Sequence, residues 1–245
     1  MYKMKLYEPK TTESMLIGKY AHKMLESKRA TIEFLEQNRD VMLKKKGDGV
    51  LKAYTDVEIA VEVVKQSEFY KKIEAAPDKE KEFEFLVDYK DIKIKGIIDA
   101  IVFDHENKTI DIYDYKTLSN FDDVWDEHLG GKVEWDETHT KQGALYVWAL
   151  LQIVKNDPPK LYMLDYIVNF KVFGFRKKAP FNIQVTTYEA GHLSHVEGHN
   201  EVKTVLAELM NISKNVYNTR MDGYYCFSCP CCAENKIYRK RTKIL

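Results

Sequence analysis

TIDIYDYKT (residues 109–117) has the marks of a buried β-strand and also carries two charges that a buried strand does not want. Ile110, Ile112 and Tyr113 are the β-branched and aromatic types that fit a pleated surface. Asp114 and Lys116 stand two residues apart, and residues i and i+2 of a strand share a face. The carboxylate and the ammonium therefore project together from a strand whose other side chains seek a core.

Working outward, HENK (105–108) between Asp104 and Thr109 reads as a four-residue hairpin loop. Pairing Asp104 with Thr109 sets Asp99 opposite Asp114. Directly opposed residues have Cβ atoms about 4.5–5.5 Å apart. Two carboxylates that close repel unless a cation lies between them. Two acids and a lysine on one side of a hairpin suit metal-assisted phosphodiester hydrolysis. The acids would hold Mg²⁺ or Mn²⁺, both oxygen-seeking ions, and the metal would lower the pKa of a bound water. Lys116 would orient that water or neutralise developing charge. The same trio also fits a solvent-facing, salt-bridged hairpin.

Three further features bear on the choice. GIID places Gly96 three residues before Asp99, GKYAH places Gly18 and His22 four apart, and QGALY places Gln142 and Tyr146 four apart. Residues four apart share a helix face. In this order the set resembles the RecB-type branch of the PD-(D/E)xK nuclease superfamily, and most of all the phage-type RecE-like exonucleases that partner single-strand annealing proteins. The resemblance spans residues 18–146. It implies an α/β, restriction-endonuclease-like core with a mixed central sheet flanked by helices. It implies metal ligation by His22, Asp99, Asp114 and the carbonyl of Tyr115, with Lys116 as the catalytic lysine. Gln142 and Tyr146 would contact DNA. An extra acid is expected from the preceding strand, where Glu82 and Glu84 both qualify and Glu84 is preferred. The implied partners are double-stranded DNA ends, a single-strand annealing protein and further copies of the chain in a ring, working in DNA recombination in the bacterial cytoplasm.

The bulk composition agrees with a water-soluble globular chain. Of 245 residues, 44% are hydrophobic and 31% charged, with 38 basic and 38 acidic side chains. This balance gives no general pull toward nucleic acid or membrane. No apolar run approaches the roughly 20 residues of a membrane helix, and no apolar signal core is expected at the start. Helices are expected at about 11–29, 31–44 and 55–73, with KKKGDG (44–49) as a loop. Strands are expected at 81–90, 92–103 and 109–117. An irregular acidic stretch covers 118–136, a helix 137–155, strands 161–175 and 181–188, and a long helix 189–220. The whole is expected to form one nuclease domain over residues 1–245. Its N-terminal region (residues 1–77) is helical, its catalytic core covers 81–188, and a C-terminal helix and tail cover 189–245.

The tail holds every cysteine, Cys226, Cys229, Cys231 and Cys232, which fits a reducing intracellular setting. Some RecB-type relatives clamp the fold with an iron–sulfur cluster that uses one cysteine upstream of the core. No cysteine precedes Cys226, and four ligands within seven residues crowd a tetrahedral site. Neither a cluster nor zinc is expected there. Two rivals share the core: an endonuclease, restriction-like or of the CRISPR-adaptation kind, and a catalytically idle DNA-binding module. The intact acid–acid–lysine set argues against the second.

Overall fold

The computed structural model describes residues 12–42, 51–118, 124–126, 131–133 and 135–217. Its frame is a five-stranded mixed sheet in the order β1-β2-β3-β6-β7. β1 (Lys79–Tyr89), β2 (Ile92–Asp104) and β3 (Thr109–Leu118) form an antiparallel meander. The β2–β3 register runs from Asp104↔Thr109 to Ala100↔Tyr113, as the HENK loop implies. α6 (Trp135–Lys155) then carries the chain across to β6 (Ile167–Arg176), which pairs parallel to β3. β7 (Ile183–His192) closes the far edge, antiparallel to β6. A separate two-stranded ribbon joins β4 (Val124–Asp126) to β5 (Gly131–Val133) within the stretch expected to be irregular.

β3 is central and covered on both faces, which explains its near-continuous run of β-branched and aromatic residues. Ile110 and Ile112 pack into one core with Val147, Leu151 and Phe170, under α6 and α7 (Asn200–Tyr217). Tyr115 packs into a second core with Tyr20, Tyr54 and Phe173, under α1 (Glu13–Glu26) and α4 (Lys52–Gln66). The architecture is thus three-layered: helices, sheet, helices. Among the described residues no helix is long and apolar enough to cross a membrane.

Serine caps set the helix boundaries that hydrophobic spacing leaves loose. α1 stops at Glu26, short of Arg29, because the Ser27 side chain accepts from Ala30 N–H and starts α2 (Lys28–Gln37). Ser67 likewise divides the expected helix 55–73 into α4 and α5 (Glu68–Ala75). α3 (Arg39–Met42) is a single turn. The expected strand 161–175 begins only at Ile167, because Pro158–Asp165 forms a 3₁₀ helix with proline at its start. The expected helix 189–220 begins only at Asn200. β7 continues through Glu189 to His192, paired to β6, and a 3₁₀ turn at Leu193–Gly198 buries Leu193 and Val196. Pairing and burial override helical propensity here. The 44–49 loop and the four cysteines lie outside the described residues.

Two motif glycines are sites of close approach. A Cβ at Gly143 would lie 2.2 Å from Phe170 Cδ1, so only glycine lets α6 settle on β6. A Cβ at Gly96 would lie 2.3 Å from Phe85 Cζ, and the Phe85 ring meets Tyr146 edge-on at 6.0 Å. Gly143→Ala would gain about 1 kcal/mol of helix propensity but overpack against a rigid ring at a cost of about 1–3 kcal/mol. The expected outcome is a melting temperature lower by roughly 2–6 °C, measured by thermal unfolding; an unchanged or higher value would remove the close-approach argument.

Candidate active site

Four elements converge at the C-terminal end of β3. α1 contributes His22, β1 contributes Glu82, β2 contributes Asp99, and β3 contributes Asp114 and Lys116. His22 Nδ1 lies 3.1 Å from Asp99 Oδ1. The other oxygen, Asp99 Oδ2, accepts the Tyr115 N–H at 2.6 Å. Asp99 thereby ties the helix to the central strand through one carboxylate.

The regular pleat fails at this point. Lys81↔Ala100 and Phe83↔Ile98 are paired, whereas the Glu82–Asp99 rung between them is missing. Ile98 belongs to the core under α6 and Ala100 to the core under α1, although residues two apart on a strand share a face. The alternation therefore breaks at Asp99. Across from it Glu82 has φ 51, a left-handed conformation that is uncommon for a side chain other than glycine. Such backbone persists only where the surroundings impose it, and it clusters at functional sites.

This break settles which acid reaches the site. Glu84 is the extra acid preferred from the sequence, and the structure places it elsewhere: its carboxylate pairs with Lys95 at 3.2 Å on the outer side of the hairpin and is largely exposed. Glu82 instead joins His22 and Asp99, with one ligand atom from each within 4.8 Å of the others. In regular alternation Glu82 and Glu84 would point the same way. The positive φ separates them.

Asp114 is 2% exposed. Lys116 Nζ donates to its Oδ1 at 3.0 Å and stands 2.8 Å from Oδ2. Only the Oδ1 contact is aligned as a hydrogen bond, so Oδ2 has no hydrogen-bond partner among the described residues. Gln142 Nε2 donates to Asp114 Oδ1 at 3.0 Å and to Tyr146 Oη at 2.7 Å. The two α6 residues expected at the DNA are thus joined to the buried acid. The Tyr146 ring meets Phe170 edge-on at 6.2 Å as well as Phe85, so it is already engaged inside the fold.

The motifs quoted from the sequence do not include His139. It is buried, one helical turn before Gln142 on α6. Burial and the nearby Lys116 charge push its imidazole down to about 4, so it is neutral at ordinary pH. The spacing H-x-x-Q is the available signal, since residues three apart share a helix face.

The electrostatics follow from burial. Burial pushes Asp114 up to about 6; Lys116 opposes the rise and Asp99 adds to it. Burial also pushes Glu82 above the usual carboxylate range, against the pull of Lys23 and with help from Asp99 and Glu26. For His22, burial acts to lower the pKa, but the hydrogen bond and charge of Asp99, with Asp114, win and raise it. Crowded carboxylates beside an imidazole fit a divalent cation. His22, Glu82 and Asp99 could hold it; Asp114, also expected as a ligand, is not in this group and is held by Lys116 and Gln142. A separate cavity of about 590 Å³, lined by Phe69, Asp111 and Lys171 among others, contains none of these residues; convergent charge, not cavity size, marks the site.

The profile of the PDDEXK-like domain of unknown function (DUF3799) matches residues 2–235. The chain belongs to this family. Its PDDEXK-like fold is shared with a candidate exonuclease from Eubacterium rectale, whose crystal structure matches with a TM-score of 0.65 at 18% identity, over 94% of this chain and 77% of that one. That likeness shows the fold. The structure of SSO0001 covers 92% of this chain and 86% of its own at 15% identity, with a TM-score of 0.35, too low to establish a common fold. No curated protein matches the chain.

Because native Asp114 holds its proton more tightly than the unfolded chain does, this group's contribution to stability falls as pH rises from about 3.8 to about 6. Above that window the cost of the buried charge is fully present. Asp114→Asn should therefore raise the metal-free melting temperature at pH 7.5 by roughly 3–6 °C, with the gain shrinking toward pH 4. Calorimetry across that range checks it; a mutant less stable than wild type at pH 7.5 would contradict the assigned direction.

Proposed function

We propose that this protein is a divalent-metal-dependent deoxyribonuclease that shortens linear duplex DNA from its ends. The observation that carries the reading is the meeting of His22, Glu82 and Asp99 beside the buried Asp114–Lys116 pair. When bound, the metal would polarise the scissile phosphate and acidify an attacking water. The chain's own residues do the rest. Asp99 fixes the distance between α1 and β3 through His22 and the Tyr115 N–H. Gln142 holds Asp114 Oδ1 in place and is itself held by Tyr146. Lys116, about a quarter exposed, keeps its ammonium on Asp114 and reaches the phosphate as charge develops. The Tyr115 carbonyl is a further ligand in this reading.

A preference for ends follows the RecE-like resemblance. Residues 1–245 show no helix-turn-helix signature and no paired C-x-x-C/H-x-x-x-H finger, and their basic run, KIYRKRTKIL (236–245), with five cations and no acid, suits phosphates of any sequence. Selectivity would then come from the DNA terminus, held by backbone contacts that ignore sequence. Enclosure of the duplex by a ring of copies would keep a neutral chain on its substrate. A role in phage-type recombination beside a single-strand annealing protein, inside the bacterial cell, follows the RecE-like resemblance.

With Mg²⁺, linear duplex should be degraded while covalently closed circles survive, as read on gels. Circles cut as fast as linear DNA is shortened would replace the exonuclease reading with the endonuclease one. Asp99→Asn should abolish cleavage, and Lys116→Ala should slow it at least about 100-fold while sparing Mn²⁺ binding. Full activity in a folded Asp99→Asn protein would end the site assignment. His22→Gln should weaken Mn²⁺ more than Mg²⁺, since imidazole suits transition metals; titration calorimetry distinguishes this from a packing role, which would leave metal preference unchanged.

A further inference from the structure

Lys23 follows His22 on α1 and stands between two acids. Its ammonium contacts Glu26, one turn on, and lies 3.4 Å from the Glu82 carboxylate. Glu82 is one of the three residues whose ligand atoms lie within 4.8 Å of one another. The same helix thus presents an imidazole that would bind metal and, next to it, a cation that would repel it. Both cannot use Glu82 fully at once. A divalent ion shared by His22, Glu82 and Asp99 would sit within a few ångströms of the Lys23 charge, where repulsion between like charges is strong. Without metal, Glu82, Asp99 and Glu26 would repel one another, and the ammonium offsets that repulsion.

The second carboxylate makes exchange possible. Glu26 already holds Lys23 and is not one of the three grouped ligands, so Lys23 can leave Glu82 without losing a partner. Lys23 is about one-third exposed and can turn without disturbing the core. We propose that Lys23 is the exchangeable counter-ion of the metal site: it neutralises Glu82 in the metal-free protein and moves wholly to Glu26 when a divalent cation takes that carboxylate. Lys23 thereby sets the affinity for metal from a position outside the ligand set. The proposal rests on the reading of Glu82 as a ligand.

Mn²⁺ titrations of the full chain, by calorimetry without DNA, test it. Lys23→Met should tighten Mn²⁺ binding by about five- to tenfold, and Lys23→Arg should stay within about twofold of wild type. Glu26→Gln should act oppositely and weaken Mn²⁺, because the lysine then remains on Glu82; combined with Lys23→Met, that weakening should vanish. Circular dichroism confirms folding, with Lys23→Gln replacing Lys23→Met if the latter fails to fold. An unchanged or weaker Mn²⁺ affinity in the folded, lysine-neutralised protein would overturn the proposal, as would indifference to Glu26→Gln. Glu82→Gln and Asp99→Asn separate the two levels. If both leave Mn²⁺ affinity unaltered, the metal site itself is misassigned; if both weaken it while the Lys23 and Glu26 variants have no effect, only the counter-ion proposal fails.

Discussion

A carboxylate buried to 2% exposure in the middle of a sheet is the constraint that organises this molecule. Taking such a charge out of water costs several kcal/mol even after the surroundings relax. The neighbours of Asp114 are arranged to offset that cost. Lys116 reaches back along the same strand, and Gln142 reaches across from α6. The helix that carries Gln142 is held close by a glycine at the Phe170 contact. Packing and polar chemistry thus share one scaffold: the α6–β6 contact that buries Phe170 also delivers the amide to the acid.

Asp99 solves a different problem. It lies where the β1–β2 pleat breaks, with one oxygen on a backbone N–H and the other against an imidazole. A regular ladder would leave no backbone donor for its side chain. The missing rung at Glu82–Asp99 frees both acids from alternation and turns them toward α1. Irregularity in the sheet is therefore what assembles the acidic cluster, and the left-handed Glu82 backbone is its visible cost.

These two solutions differ in how well a sequence discloses them. The Asp114–Lys116 pair is legible because strand alternation is strict where the strand is regular, and the HENK loop fixes a register that holds as far as Ala100↔Tyr113, one rung short of the Asp99–Asp114 pairing it implies. His22, Gln142 and Tyr146 are singled out by the order of motifs in the resemblance rather than by spacing alone; they lie on segments that do form helices, with His22 on Asp99, Gln142 on Asp114 and Tyr146 on Gln142. The choice between Glu82 and Glu84 is not, because it depends on a local departure from the alternation used to read it. His139 is spaced one turn from Gln142, but a buried histidine announces itself only through its surroundings. The displaced boundaries have similar causes. Periodicity runs straight through Ser27 and Ser67, where side-chain caps restart the helix, and cannot sense that residues 189–192 are held in a sheet by β6.

The parallel β3–β6 pairing also bears on when the site comes into being. An antiparallel hairpin can close as soon as its loop is made, so Asp99, Asp114 and Lys116 lie on a meander of local contacts. β6 can add to it only after α6 has crossed over, and His22 must dock onto an acid 77 residues further along the chain. Contacts of such sequence separation form slowly, because the entropy of closing long loops is lost before the contacts offset it. During synthesis, a ribosome that has released only the meander exposes the acids and the lysine without the helix that orders them. The full arrangement of these residues arrives late, with long-range topology, and a chain interrupted before β6 holds the charged groups but not their arrangement.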